Sequence, residues 1–203
     1  MPFNPETKLF FIHIPKTGGS SIERALDMSL MNKKEGTRYC NCSPQHTPIS
    51  LLQYELPNPH LFEYFTVVRC PYTRIVSEFL WRRSIEGIQI ETKTVAQDFN
   101  HFLKYVFKTI SKSERVACFD RHIEPQNEFI INNIQIPVSV FKLENLTSLE
   151  MWLSIKLKQN IKIPHVHKTN YNQDVLQLLL NKTNRKLIRD FYIQDFEMFK
   201  YEI

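Results

Sequence analysis

The chain has 203 residues, 42% hydrophobic and 23% charged, which suits one domain with a sizeable core and excludes wholesale disorder. Lys and Arg total 26 against 21 acidic residues, a formal net charge of +5 that fits an anionic ligand but forms no basic tract of the nucleic-acid-binding kind. No apolar run approaches the roughly 20 residues that cross a bilayer, and Met1–Glu6 lacks a signal-peptide pattern, so the expectation is a cytoplasmic protein, with the Golgi as the alternative if the chain is an excised domain.

The first element is an apolar run over residues 8–14, which reads as a buried strand stopped by Pro15. Next comes Pro15-Lys16-Thr17-Gly18-Gly19-Ser20-Ser21, and a helical pattern begins near Ser20, where Ser20-x-x-Glu23 has the form of a capping box. Ile22, Ala25, Leu26 and Ser29 or Leu30 give that helix its inward face. A strand, a glycine-containing loop and a helix start together make a phosphate cradle. Gly18 and Gly19 let backbone N–H groups approach an anion, and the helix start presents unpaired donors to it. Lys16 adds charge, while the hydroxyls of Thr17, Ser20 and Ser21 add donors. In the Walker loop the lysine follows the glycines; here Lys16 precedes them.

Residues 32–48 read as a polar loop containing Cys40, Cys42 and His46, and a short helix is expected over 48–54. Phe62–Arg69 is the second strand, with Pro71 at the first turn of a helix running to about Arg83. That helix carries Tyr72, Ile75, Val76, Phe79 and Leu80 on one face and Arg74, Ser77 and Glu78 on the other. A Phe-rich helix runs from Thr94 to about residue 110, a polar loop covers 111–126, and a short helix lies near 125–132. A strand at Val138–Leu143 precedes a helix capped by Thr147-x-x-Glu150, then a polar connector over 159–171 and two C-terminal helices. Strands alternating with helices imply an α/β fold built on a parallel sheet. Cys40, Cys42, Cys70 and Cys118 match no zinc spacing and read as reduced thiols.

Several motifs, in order along nearly the whole chain, resemble the sulfotransferase family that uses 3′-phosphoadenosine-5′-phosphosulfate (PAPS). The branch nearest in pattern holds the heparan- and chondroitin-type carbohydrate sulfotransferases and their bacterial relatives. Ile12–Ser21 matches that family's 5′-phosphosulfate loop, and Val67–Phe79 its 3′-phosphate motif, with Arg69 and Ser77 eight apart. His122–Gln126, Leu143–Leu146 and Phe191-Tyr192…Asp195-Phe196…Tyr201 are similar to weaker downstream landmarks. Cys70 stands where the family often has Asp or Asn, and Ser20 where Thr is common.

The resemblance implies a single sulfotransferase domain over residues 1–203, of α/β P-loop-like three-layer type, with a central parallel β-sheet flanked by helices. PAPS would be the donor and PAP (adenosine 3′,5′-bisphosphate) the product, with no metal. Lys16, Thr17, Gly18, Gly19, Ser20 and Ser21 would hold the 5′-phosphosulfate, and Arg69 with Ser77 the 3′-phosphate. Lys16 would neutralise the leaving phosphate. His46, which occupies the place of a family histidine before the second strand, would take the proton of the acceptor hydroxyl. The implied partner is a hydroxyl-bearing acceptor, a glycan foremost, with no nucleic acid and no membrane segment; the oligomeric state is open. An ATP-dependent P-loop phosphotransferase and a non-catalytic nucleotide-binding scaffold are the rival readings. His13, inside the strand, reads as a core histidine, and His122 as either a substrate contact or a structural hydrogen-bonding group.

Overall fold

A computed structural model describes residues 2–30, 43–54, 58–86, 94–111, 118–133, 135–164 and 173–203. Its strands are β1 (Pro2–Asn4), β2 (Leu9–Ile12), β3 (Ser29–Leu30), β4 (Glu63–Val68) and β5 (Val138–Lys142). Its α-helices are α1 (Gly19–Ala25), α2 (Pro71–Ile85), α3 (Val95–Ser111), α4 (Leu146–Leu157), α5 (Gln173–Leu179), α6 (Lys182–Phe191) and α7 (Ile193–Phe199). The chain divides into two compact units: Met1–Arg69 with Gln126–His167, and Cys70–Pro125 with Lys168–Ile203.

The first unit holds the sheet, in the order β3-β1-β2-β4-β5. Strands β2, β4 and β5 run parallel, whereas β1 is antiparallel to both β2 and β3. The expected parallel sheet is therefore its central part only, and the whole is mixed. The antiparallel edge arises because Pro5–Lys8 turns Pro2–Asn4 back along β2, with Asn4 Oδ1 accepting from the Glu6 and Thr7 amides at 3.0 and 3.1 Å. Alternation along the strands decides which side chains meet. Leu9, Phe11, Phe65 and Val67 pack with Ile22 and Leu26 near α1, Leu149 and Leu153 of α4, and Ile161 and Ile163. Across the β2–β4 register, Phe11 stacks on Phe65 at 5.1 Å and Phe10 on Tyr64 at 5.3 Å between ring centroids. Thr66, wholly buried, donates its hydroxyl to the Ile12 carbonyl at 2.7 Å.

Three local readings are corrected in this unit. Helix α1 ends at Ala25, and Ser29 and Leu30 pair with β1 as a strand. The reason is a left-handed turn at Asp27 (φ 47°), closed by the Met28 amide on the Glu23 carbonyl at 3.0 Å. Nor does a capping box form: the α1 N-cap is Gly18, with no side-chain cap, and the Glu23 carboxylate is bonded elsewhere. Residues 161 and 163 of the supposed polar connector are buried isoleucines, their amides held by Ser154 Oγ at 3.0 Å and Glu150 Oε1 at 2.9 Å.

The second unit is helical. Tyr72, Ile75, Val76, Phe79 and Leu80 of α2 pack with the Phe99–Ile110 face of α3 and with Ile188, Tyr192 and Phe196. Three helices rather than two close the chain, because the Tyr192 backbone breaks the run between α6 and α7. Arg74 is 2% exposed, and its guanidinium donates to the carbonyls of Glu124 at 2.8 Å and His122 at 3.0 Å. Tyr192 donates its buried hydroxyl to the Ile123 carbonyl at 2.6 Å, and burial raises its pKa strongly. The segment Arg121–Glu124 is thus pinned by α2 and Tyr192.

Candidate active site

Three parallel strands end on one edge of the sheet, and in open α/β sheets that edge is where ligands are received. The segment after β2 is the Pro15–Ser21 loop, β4 delivers Arg69, and β5 runs into Leu143. The sequence folds locally into a loop because Thr17, fully buried, donates its hydroxyl to the Ile14 carbonyl at 2.8 Å. Lys16 adopts φ 68° and Gly18 φ 83°. For lysine the left-handed region costs on the order of 1–2 kcal/mol, and such backbone strain gathers at functional sites. A left-handed residue following one of negative φ turns successive N–H groups toward one side, the geometry of an anion-binding nest. Among the described residues the N–H groups of Gly18, Gly19 and Ser20 have no protein acceptor. Helix α1 is only seven residues long, so the loop amides rather than a helix dipole carry the attraction.

The two glycines serve different ends. Gly18 needs its positive φ, and a Cβ there would lie 2.9 Å from Leu143 Cδ1. Gly19 has no positive φ; a Cβ there would lie 2.1 Å from His13 Nε2. Its side-chain space is occupied by an imidazole.

Arg69 reaches the loop directly: its Nη1 donates to the Lys16 carbonyl at 3.2 Å. Its own backbone is clamped by Gln126, whose Oε1 accepts from the Arg69 amide and whose Nε2 donates to the Arg69 carbonyl, both at 2.9 Å. Gln126 is wholly buried. The sequence contained this residue in the His122–Gln126 landmark, but nothing in its spacing disclosed a clamp.

Behind the loop, His13 is 5% exposed and its Nδ1 pairs with Glu23 Oε1. Gln45 donates its Nε2 to both Glu23 oxygens, at 3.0 and 2.9 Å. Burial alone would raise the Glu23 carboxyl. Hydrogen bonds from His13 and Gln45, with the charges of His13 and His46, outweigh it and hold the group below the usual carboxylate range. His46, 7% exposed, sits in the short turn Pro44–His46, its Nδ1 3.2 Å from Ser43 Oγ. The His13 and His46 rings meet edge to face, 5.1 Å between centroids at 82°.

The first unit thus brings together Lys16–Ser21, Arg69 and, through His13, His46. Ser77 belongs to the second unit, where it is 2% exposed on α2. There, His122 pairs its Nδ1 with Glu78 Oε2 at 2.8 Å, and Glu78 Oε1 accepts from Arg82 Nε at 2.6 Å. Cys70 is half-buried and forms no disulfide among the described residues. Cys40, Cys42, His165, His167 and Lys168 lie outside the described residues. Among the described residues no helix is long and apolar enough to cross a membrane.

A helix-flanked α/β sheet thus carries the Pro15–Ser21 loop and the tethered Arg69 at one strand edge. The sulfotransferase-family model matches residues 1–202, and the chain belongs to that family. No curated protein and no solved structure matches it.

Proposed function

We propose that the protein transfers a sulfuryl group from PAPS to a hydroxyl of a carbohydrate acceptor and releases PAP, through one P-loop-like three-layer domain formed by residues 1–203. The observation that carries this reading is the Pro15–Ser21 loop, with left-handed backbone at Lys16 and Gly18 and the Arg69 guanidinium on the Lys16 carbonyl.

The loop amides, Lys16 and the hydroxyls of Ser20 and Ser21 hold the 5′-phosphosulfate. The Thr17 hydroxyl proton is committed to Ile14, so Thr17 shapes the loop and contributes its amide. Arg69 and Ser77 take the 3′-phosphate, the arginine as a charged fork and the serine as one hydroxyl donor. The acceptor oxygen forms its bond to sulfur as the bond from sulfur to the bridging phosphate oxygen breaks. The acceptor proton goes to His46, and Lys16 stabilises the charge that develops on the leaving phosphate. The accepting imidazole is held by its own turn, Nδ1 lying 3.2 Å from Ser43 Oγ. No step asks for a metal ion. Positioning and electrostatics supply most of the rate, as in phosphoryl transfer.

The test is transfer of radiolabelled sulfate from PAPS to desulfated heparan and chondroitin chains by wild type, Lys16→Ala and His46→Ala. Label should appear on glycan with wild type, and kcat should fall by at least about a hundredfold in each variant, a span common for loss of a general base or an anion-stabilising group. Full turnover by His46→Ala would remove His46 from the scheme. Transfer from ATP with none from PAPS would replace the scheme by a phosphotransferase.

A further inference from the structure

Behind the loop, His13, Glu23, Gln45 and His46 form a buried polar cluster, and the scheme above uses only His46. A core histidine needs one acceptor, which a backbone carbonyl usually provides. His13 instead has a carboxylate from α1, and that carboxylate is itself held on both oxygens by Gln45. A partly buried ionisable pair of this kind gains little stability over an apolar pair of similar volume. What it supplies is a fixed ring, and two features depend on the place of that ring. The imidazole occupies the Cβ space of Gly19, within the run of amides that face the donor. Its edge-to-face contact at 5.1 Å also sets how the His46 ring can rotate.

We propose that Glu23 and His13 are positioning residues of the sulfuryl-transfer site: the Glu23 carboxylate fixes the His13 ring, and that ring holds both the Gly19 backbone and the His46 imidazole in their working orientation. This rests on the sulfotransferase reading above. The logic is that of an orienting carboxylate behind a histidine base, with one ring interposed. Neither residue needs to touch the donor or the acceptor.

Glu23→Gln keeps the shape and removes the charge; His13→Gln keeps a polar group and removes the ring. Three measurements on the full chain decide the matter: PAP affinity by calorimetry, kcat for sulfate transfer to the glycan chains, and imidazole nitrogen resonances by NMR. Expected for Glu23→Gln is a PAP dissociation constant raised about threefold or more through the Gly19 amide, kcat lower by ten- to a hundredfold, and displaced nitrogen resonances of both His13 and His46. Glu23→Asp, which retains the charge, should recover part of kcat. A structural role alone would lower the melting temperature while leaving kcat per folded molecule and the His46 resonances unchanged, and that pattern overturns the proposal. The NMR arm is read without turnover: His46 resonances indifferent to Glu23→Gln refute the positioning claim. Failure of wild type to bind PAP refutes the sulfotransferase reading instead.

Discussion

The Arg69 guanidinium donates to the carbonyl of Lys16 at 3.2 Å, and Lys16 is held in a left-handed backbone conformation, φ 68°. The residue assigned to one phosphate therefore shapes the loop assigned to the other. A lysine in this region pays for its conformation, and the bond to its carbonyl is one of the contacts that offset the cost.

Arg69 variants follow from that pairing. Lysine keeps the charge but loses the planar fork that can span a carbonyl and an anion together. Arg69→Lys should weaken PAP by about tenfold or more, which is roughly 1.4 kcal/mol, and Arg69→Ala should weaken it further. Calorimetric titration with PAP checks this; wild-type affinity in Arg69→Lys would show that the fork is not used.

Gln126 reaches Arg69 only through its backbone. Replacing a wholly buried amide removes two 2.9 Å bonds, one to the N–H and one to the C=O of Arg69. Gln126→Ala should cost about 1–3 kcal/mol of stability and weaken PAP, although Gln126 touches no ligand in the proposed scheme. Chemical denaturation beside PAP titration separates the two effects. Gln126→Glu keeps the shape but has no N–H donor and sets a buried carboxylate oxygen against the Arg69 carbonyl, so it should cost at least as much.

Gly19 is glycine because of an imidazole. A Cβ 2.1 Å from His13 Nε2 forces the ring or the helix start to move, and His13 is tied to Glu23. Gly19→Ala should destabilise by about 1–3 kcal/mol, as overpacking does. The His13→Ala background should relieve much of that loss, so a double-mutant cycle should show strong coupling. Additive losses would mean that the clash is absorbed elsewhere.

The Glu23 carboxyl is held below its usual range in the folded protein, with His13 as its chief hydrogen-bonding partner. A group whose folded pKa is depressed adds stability above its unfolded value of 4.5, and that contribution fades as pH falls through the folded value. The melting-temperature gap between wild type and Glu23→Gln should therefore be full near pH 7 and narrow steadily below about pH 4.5. A gap that widens on acidification contradicts this assignment of the pair.

Much of the fold was legible in the residues because apolar periodicity is a strong signal. The runs at Leu9–Ile12 and Glu63–Val68 were readable as buried strands, and α2 began at Pro71 as its fixed φ and missing N–H require. Pro2–Asn4 escaped notice because three residues carry no period, and their pairing depends on a partner strand. Lys16, Gly18 and Arg69 stood out by type and place at strand ends. Glu23 did not: its spacing from Ser20 imitates a capping box, while its carboxylate is committed to His13, ten residues earlier. Gln126 clamps a backbone 57 residues away, a relation that local spacing cannot express. Ile161 and Ile163 lay in a polar stretch whose composition concealed two buried positions.

The central claim, that this loop and Arg69 serve a 3′-phosphorylated sulfate donor, is tested most directly by thermal shift of the wild-type chain with PAP, ATP and AMP. A ligand at a hundred times its dissociation constant adds about 2.7 kcal/mol of stability. PAP should raise the melting temperature well above either of the other nucleotides, and Arg69→Ala should abolish most of that rise. Stabilisation by ATP with none by PAP would contradict the account.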